Sequence, residues 1–225
     1  MKIQDFQIPI QIVNSMPKSI EARLILPENI AFQTNITDFL ELNEICEYRI
    51  EYHKGYTISL IDHLYETMTN HERIVRNFIY WLTDFVEKND LRWEVFPSNL
   101  LIYIKSIAPH CYKPDSSVFK EQLKEEIFIN SKTEKKYKVC LNPNTVFEVL
   151  SPSTRKYDLE TKLENYKKLE SLEQIIFVEQ EKVGVYVHEK IGENWFETTY
   201  SDLNDTILVA ECAISVKKLY KNVIF

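Results

Sequence analysis

The strongest periodicity lies between Asn70 and Lys88. There Ile74, Val75, Phe78, Leu82 and Phe85 fall on one helical stripe, while Arg73, Arg76, Asn77, Thr83, Asp84 and Glu87 lie elsewhere. Asn70 suits an N-cap, and Lys88 followed by Asn89 suits a helix end. A second helix fits residues 154–170, because Leu159, Leu163, Tyr166 and Leu169 are spaced for one buried face. Residues 92–96, 99–104, 116–119 and 144–150 read as strands, with a turn at Pro97-Ser98-Asn99 between the first two. Three more strands fit residues 174–179, 183–189 and 195–200, and residues 206–220 read as a last strand and a short element. Upstream, residues 37–44 predict a short helix, and residues 48–60 two short strands turning at Lys54-Gly55. Residues 8–13 and 22–27, punctuated by Pro17 and Pro27, predict short strands or an extended arm. Helix, strands, helix, strands is the order of an α/β or α+β fold with one mixed sheet.

The 225 residues, 44% of them hydrophobic, suffice for one compact domain with a real core. With 3 Gly and 8 Pro, collagen-like and linker-like architectures are excluded. No apolar run approaches the ~18–20 residues that span a bilayer. The first residues, MKIQDFQIPIQIVN, carry polar breaks and no small-residue cleavage site, so a cytoplasmic protein without a signal peptide is expected. Cys46, Cys111, Cys140 and Cys212 are scattered, which suits reduced thiols. His110-Cys111 with a distant Cys140 is a poor zinc pattern. The formal net charge of −7 argues against coating nucleic acid by bulk charge, though not against meeting it through metal and a local basic strip.

Three ionisable groups sit at the end of, or inside, apolar elements. Asp115 follows Pro114 at the start of a strand; a turn aspartate is the plainer reading of it alone. Glu148 alternates with Val146 and Leu150 on one face of a strand whose other face carries Thr145, Phe147 and Val149. A charge buried on such a strand costs several kcal/mol unless a cation compensates it. Lys162 adjoins the buried face of the second helix and could deliver its ammonium inward along an apolar stem, although an i,i+4 surface pair with Asp158 is the ordinary alternative. Two carboxylates and a lysine suit metal-assisted phosphodiester hydrolysis, because Mg²⁺ prefers hard oxygen ligands. Lys162 is better cast as an electrostatic stabiliser than as a base. Lowering a lysine from its usual pKa of about 10.4 to about 7 costs ~4.6 kcal/mol, and neighbouring carboxylates oppose it.

Pro114-Asp115, followed by FEVLSPSTRKYDLETKLENY from Phe147 to Tyr166, resembles the Uma-type restriction endonuclease family of the PD-(D/E)xK nuclease superfamily. Asp158, Lys162 and Tyr166 match its D-x-x-x-K-x-x-x-Y helix, and residues 174–179 its following strand. Residues 51–56 resemble the family's acidic hairpin, with Lys54 and Tyr56 in place of acids, and His71 resembles its helix-opening histidine. The resemblance covers roughly residues 37–220. It implies a restriction-endonuclease-like core, a mixed sheet flanked by helices with extra hairpins. It divides the chain into an extension, residues 1–36, and a nuclease-like domain, residues 37–225. It implies Asp115 and Glu148 as ligands of Mg²⁺ or Mn²⁺, with Val149 beside them in the metal set. Lys162 takes the place of the lysine usually two residues beyond the acid, a slot filled here by Leu150. Glu51 is a further acid at the site, and His71 and Ser151 are substrate contacts. Asp158 is a helix-start residue or a partner for Lys162.

The function so implied is Mg²⁺-dependent hydrolysis of DNA. The alternative is a catalytically weak nucleic-acid-binding or interaction protein on the same scaffold; a nucleotide or RNA phosphodiesterase is a third reading. Lysines at 132, 135, 136 and 138, and Arg155, Lys156, Lys167 and Lys168, form local basic clusters, usually solvated faces. A homodimer is expected, because cutting two strands is simplest with paired sites.

Overall fold

The computed structural model describes residues 8–26, 29–61 and 69–225. Pro27 and the first seven residues lie outside them. The strands divide between two mixed sheets and a hairpin, rather than the single sheet expected.

The chain opens with β1 (Gln11–Ile12), α1 (Ile20–Leu24) and β2 (Ile30–Gln33). The strand or arm expected at residues 22–27 is therefore partly helix. Ser19 begins it by accepting a hydrogen bond from the Ala22 N–H. Next come α2 (Ile36–Ile45), whose N-cap is Asn35, and the hairpin of β3 (Glu51–His53) and β4 (Tyr56–Ser59). Its turn places Lys54 at φ 49° and Gly55 at φ 87°, the left-handed pair that matches strand twist.

The long amphipathic helix α3 (Thr69–Lys88) buries Ile74, Val75, Phe78, Leu82 and Val86. Asn70 is inside it rather than capping it, and its side chain instead holds the Ile224 backbone. Asn77, set apart from the apolar stripe by periodicity, is buried and donates to the Leu219 and Lys221 carbonyls.

Strands β5 (Glu94–Pro97) and β6 (Ile102–Ile104) enter different sheets, so residues 98–101 are a crossing and not a hairpin turn. Strands β7 (His110–Tyr112), β9 (Glu125–Ile129) and β10 (Lys136–Cys140) had no clear signal in the sequence. β8 (Ser116–Phe119) and β11 (Thr145–Leu150) are buried throughout. A π-helical turn, Tyr157–Lys162, runs into the short helix α4 (Leu163–Tyr166), where one regular helix was expected. β12 (Gln174–Glu179), β13 (Val185–Ile191) and β14 (Asn194–Tyr200) follow, then the hairpin of β15 (Thr206–Val209) and β16 (Cys212–Ser215) and the helix α5 (Val216–Leu219).

One sheet runs β1-β2-β4-β3-β7-β6-β10-β9 and the other β14-β13-β12-β11-β8-β5. Three apolar clusters hold the layers together. The first lies between the sheets and takes in Tyr112, Val146, Leu150, Tyr157, Leu163 and Tyr166. The second packs α3 and the C-terminal elements on the far face of the six-stranded sheet, where the Phe78 and Phe147 rings stack at 3.8 Å. The third seats Phe39 and Leu40 of α2 on the outer face of the other sheet. Alternation along β11 thus turns Phe147 toward α3 and Glu148 toward the layer between the sheets.

Candidate active site

Asp115 lies where the chain passes from β7 in one sheet to β8 in the other. Pro114 fixes the backbone immediately before it. Because β8 pairs antiparallel with β11, Ser116 against Phe147, Asp115 comes level with the end of β11. Its Oδ2 accepts from the Val149 N–H at 2.8 Å and meets His71 Nε2 at 3.1 Å. Val149 thus contributes its N–H to Asp115.

Glu148 is buried between the sheets. Its Oε1 lies 2.5 Å from Lys162 Nζ and accepts from the Tyr166 hydroxyl at 2.7 Å. Lys162 Nζ is also 3.2 Å from Glu51 Oε1 and 3.5 Å from Asp158 Oδ1. Hence Glu51 from β3, Glu148 from β11 and Lys162 from the helix meet at one point, and Asp115 adjoins them through Arg49. Asp158 is a partner of the lysine, steadied by the Thr154 hydroxyl at 2.8 Å. Ser151 starts this helix, its Oγ meeting Thr154 Oγ1 at 2.7 Å.

Arg49 is the site residue that sequence reasoning missed. Its guanidinium lies 3.3 Å from Asp115 Oδ1, 3.3 Å from Glu51 Oε1 and 3.8 Å from Glu148 Oε2. It also donates to the Lys113 carbonyl. Spacing does not mark it, because Arg49 precedes β3 and two of its three acids, Asp115 and Glu148, come from distant parts of the chain.

These contacts set the charges. Burial alone would raise Asp115, but His71, Arg49 and the Val149 N–H hold it below the usual carboxylate range. Burial pushes Glu148 up to about 7, against the pull of Lys162. Burial disfavours the Lys162 ammonium, yet Glu148, Glu51 and Asp158 outweigh it and raise its pKa. Lys162 is a charged group here, not a base. Burial would likewise lower His71, and the Asp115 carboxylate raises it overall.

Could the residues hold a divalent cation? Among the described residues, no cluster of three or more His, Cys, Asp or Glu side chains is arranged as a metal cage. Two carboxylates suffice for Mg²⁺, which keeps several waters. Asp115 is pinned through Oδ2 and Glu148 through Oε1, while Oδ1 and Oε2 both face the Arg49 guanidinium. A cation therefore already stands before these two oxygens, which are hard donors of the kind a divalent ion takes.

Many of the basic residues marked in the sequence are tied to acids or amides. Lys135 pairs with Glu44, Lys138 with Glu125 at 2.7 Å, Arg155 with Glu179 at 2.9 Å and Lys167 with Glu164 at 2.8 Å. Lys168 donates to Asn165 at 2.6 Å. No helix, among the described residues, is long and apolar enough to cross a membrane.

A mixed α+β fold with acids and a lysine gathered between its two sheets belongs with the restriction-endonuclease-like proteins. The model of the Uma2 family, described as "Putative restriction endonuclease", matches residues 36–216, and the chain belongs to that family. Among curated proteins, it is 25% identical to the uncharacterized protein sll1609 of Synechocystis sp. over 162 residues, which cover 72% of this chain and 84% of that relative.

Proposed function

We propose that the protein is a Mg²⁺-dependent endonuclease that hydrolyses DNA phosphodiester bonds, with residues 37–225 as its nuclease-like unit. The observation that carries this is the gathering of three carboxylates, Asp115, Glu148 and Glu51, around two cations, Arg49 and Lys162, between the sheets. Asp115 Oδ1 and Glu148 Oε2 would hold the ion. When bound, Mg²⁺ would acidify the attacking water and offset charge at the scissile phosphate.

The chain's own residues do the rest. The Val149 N–H and His71 fix the Asp115 carboxylate through Oδ2, which leaves Oδ1 to the Arg49 side. Tyr166 and Lys162 fix Glu148 in the same way. Lys162, kept as an ammonium by three carboxylates, would set a fixed positive charge behind Glu148 that offsets the negative charge growing on the phosphate. The ammonium is also 5.6 Å from the Tyr112 ring and 5.9 Å from the Tyr166 ring, whose bulk keeps bulk water from its rear.

The test is cleavage of plasmid DNA with Mg²⁺ or Mn²⁺, run beside a thermal-shift titration of the same cations. Asp115→Ala and Glu148→Ala are expected to lose both cleavage and the cation response while keeping the native circular dichroism. Lys162→Ala is expected to keep the cation response and lose about 10²–10³ in rate, the usual worth of one preorganised donor. A Glu148→Ala protein that still cuts DNA would sink the site as drawn. A wild type that neither responds to cations nor nicks DNA would favour the binding-protein alternative.

A further inference from the structure

Arg49 differs from every other member of the carboxylate group in its access to solvent. The side chains of Glu51, Asp115, Glu148 and Lys162 are 1–4% exposed, and that of Arg49 is 26% exposed. An ion arriving from solvent thus meets Arg49 first. Its two terminal nitrogens take Asp115 Oδ1 and Glu148 Oε2, oxygens that no other side chain among the described residues pins. Its Nε, by contrast, is buried and finds no acceptor among the described residues. Guanidinium is the natural occupant of a carboxylate pair, because its fork matches their geometry and it never loses its proton.

Beside Arg49 opens a cavity of about 280 Å³, whose lining includes Glu47, Tyr48, Ser98, Asn99 and Lys113. Lys113 brings a second cation to it. The cavity gives the side chain room to turn, and its two cations outnumber its one carboxylate, Glu47, whose Oε2 already accepts from the Ile20 N–H.

We infer that Arg49 is an exchangeable cation: it neutralises the carboxylates when no divalent ion is bound, yields Asp115 Oδ1 and Glu148 Oε2 to that ion, and then grips a phosphate of the nucleic acid together with Lys113. This rests on the metal-dependent reading above and adds a competition to it. A divalent ion cannot share those oxygens with a guanidinium at 3.3 and 3.8 Å, so its apparent affinity is reduced by the fraction of molecules in which Arg49 is seated. The loss is regained as phosphate binding once the side chain has swung out. Metal and nucleic acid then bind with positive coupling.

Mn²⁺ binding, followed by electron paramagnetic resonance of the free ion and without DNA, separates the possibilities in the wild type, Arg49→Ala and Arg49→Gln. Both variants are expected to bind Mn²⁺ about ten-fold more tightly than the wild type. The same variants are expected to bind a DNA duplex more weakly at saturating Ca²⁺, read by fluorescence anisotropy. Opposite signs for ion and duplex are not what a merely structural arginine produces, and the glutamine variant keeps the stem packing should the alanine variant fold poorly. Unchanged or weaker Mn²⁺ binding in both variants, with a wild type that binds the ion, overturns the exchange and leaves the nuclease reading standing. Unchanged duplex affinity overturns the phosphate grip. No Mn²⁺ binding by the wild type or by either variant overturns the exchange and the metal-dependent reading together.

Discussion

Glu148 shows how a buried carboxyl is compensated. Each of its oxygens has a cation within 4 Å, and Tyr166 adds a hydroxyl donor. A second buried polar group lies nearby and is kept neutral instead. The His53 and His110 rings meet edge to face at 4.6 Å, and both approach the Tyr112 hydroxyl, at 3.1 and 3.2 Å. Burial, helped by the positive charge of Lys54, draws His53 down to about 3 from 6.5, and burial beside His53 draws His110 lower still. The unfolded chain therefore takes up protons first. The stability these histidines support is present above pH 6.5 and is lost as the pH falls from there toward 3. The limiting slope is ~1.4 kcal/mol per pH unit for each histidine. Glu148, raised to about 7, acts in the opposite sense, because the folded chain holds its proton longer. Comparison with His110→Gln isolates the histidine: urea unfolding is expected to show a shallower acid limb, by one histidine's share. An acid limb as steep as that of the wild type would mean that His110 is not held neutral.

At the scale of elements, the π-helical turn is the departure that matters most. The Leu163 N–H reaches back to the Asp158 carbonyl, five residues away, so one residue more than usual is taken into that turn. Asp158, Lys162 and Tyr166 still share the face toward Glu148. Spacing of apolar residues marks a helix here but carries no sign of the wider turn, which is a response to packing between the sheets. Two polar side chains of α3 hold the C-terminal segment, Asn70 at Ile224 and Asn77 at α5. Asn77 donates to the carbonyls of Leu219 and Lys221 at 2.8 and 2.9 Å. Asn77→Ala leaves both without that donor and is expected to cost about 1–3 kcal/mol. The amides of α5 should exchange faster in native-state hydrogen exchange; unchanged protection there would mean that apolar packing alone seats the helix.

Across the whole molecule, charge is the constraint on substrate binding. The net charge of −7 repels DNA at long range, and the ion pairs at Lys135, Lys138, Arg155 and Lys167 leave the attraction to local groups. Duplex affinity is expected to fall linearly on a log–log plot between about 50 and 200 mM salt, with Lys113→Ala flattening the slope by about 0.9, one phosphate contact. An unaltered slope would remove Lys113 from the interface. The chain's own pattern was enough to determine α3, β8, β11 and the last three long strands, together with the family and the candidate acids and lysine. Those are local matters: apolar spacing declares a helix or a buried strand, and a charge inside a buried strand declares a need for a partner. The division into two sheets, the strands β7, β9 and β10, the π turn and the placing of Arg49 were decided by the tertiary structure alone. β9 and β10 are half exposed, β7 is three residues long, and the seat of Arg49 is made by residues 66 and 99 positions further on, at Asp115 and Glu148. Contacts of that range leave no mark on local periodicity, because the field that draws a guanidinium to its place exists only once the sheets have brought the carboxylates together.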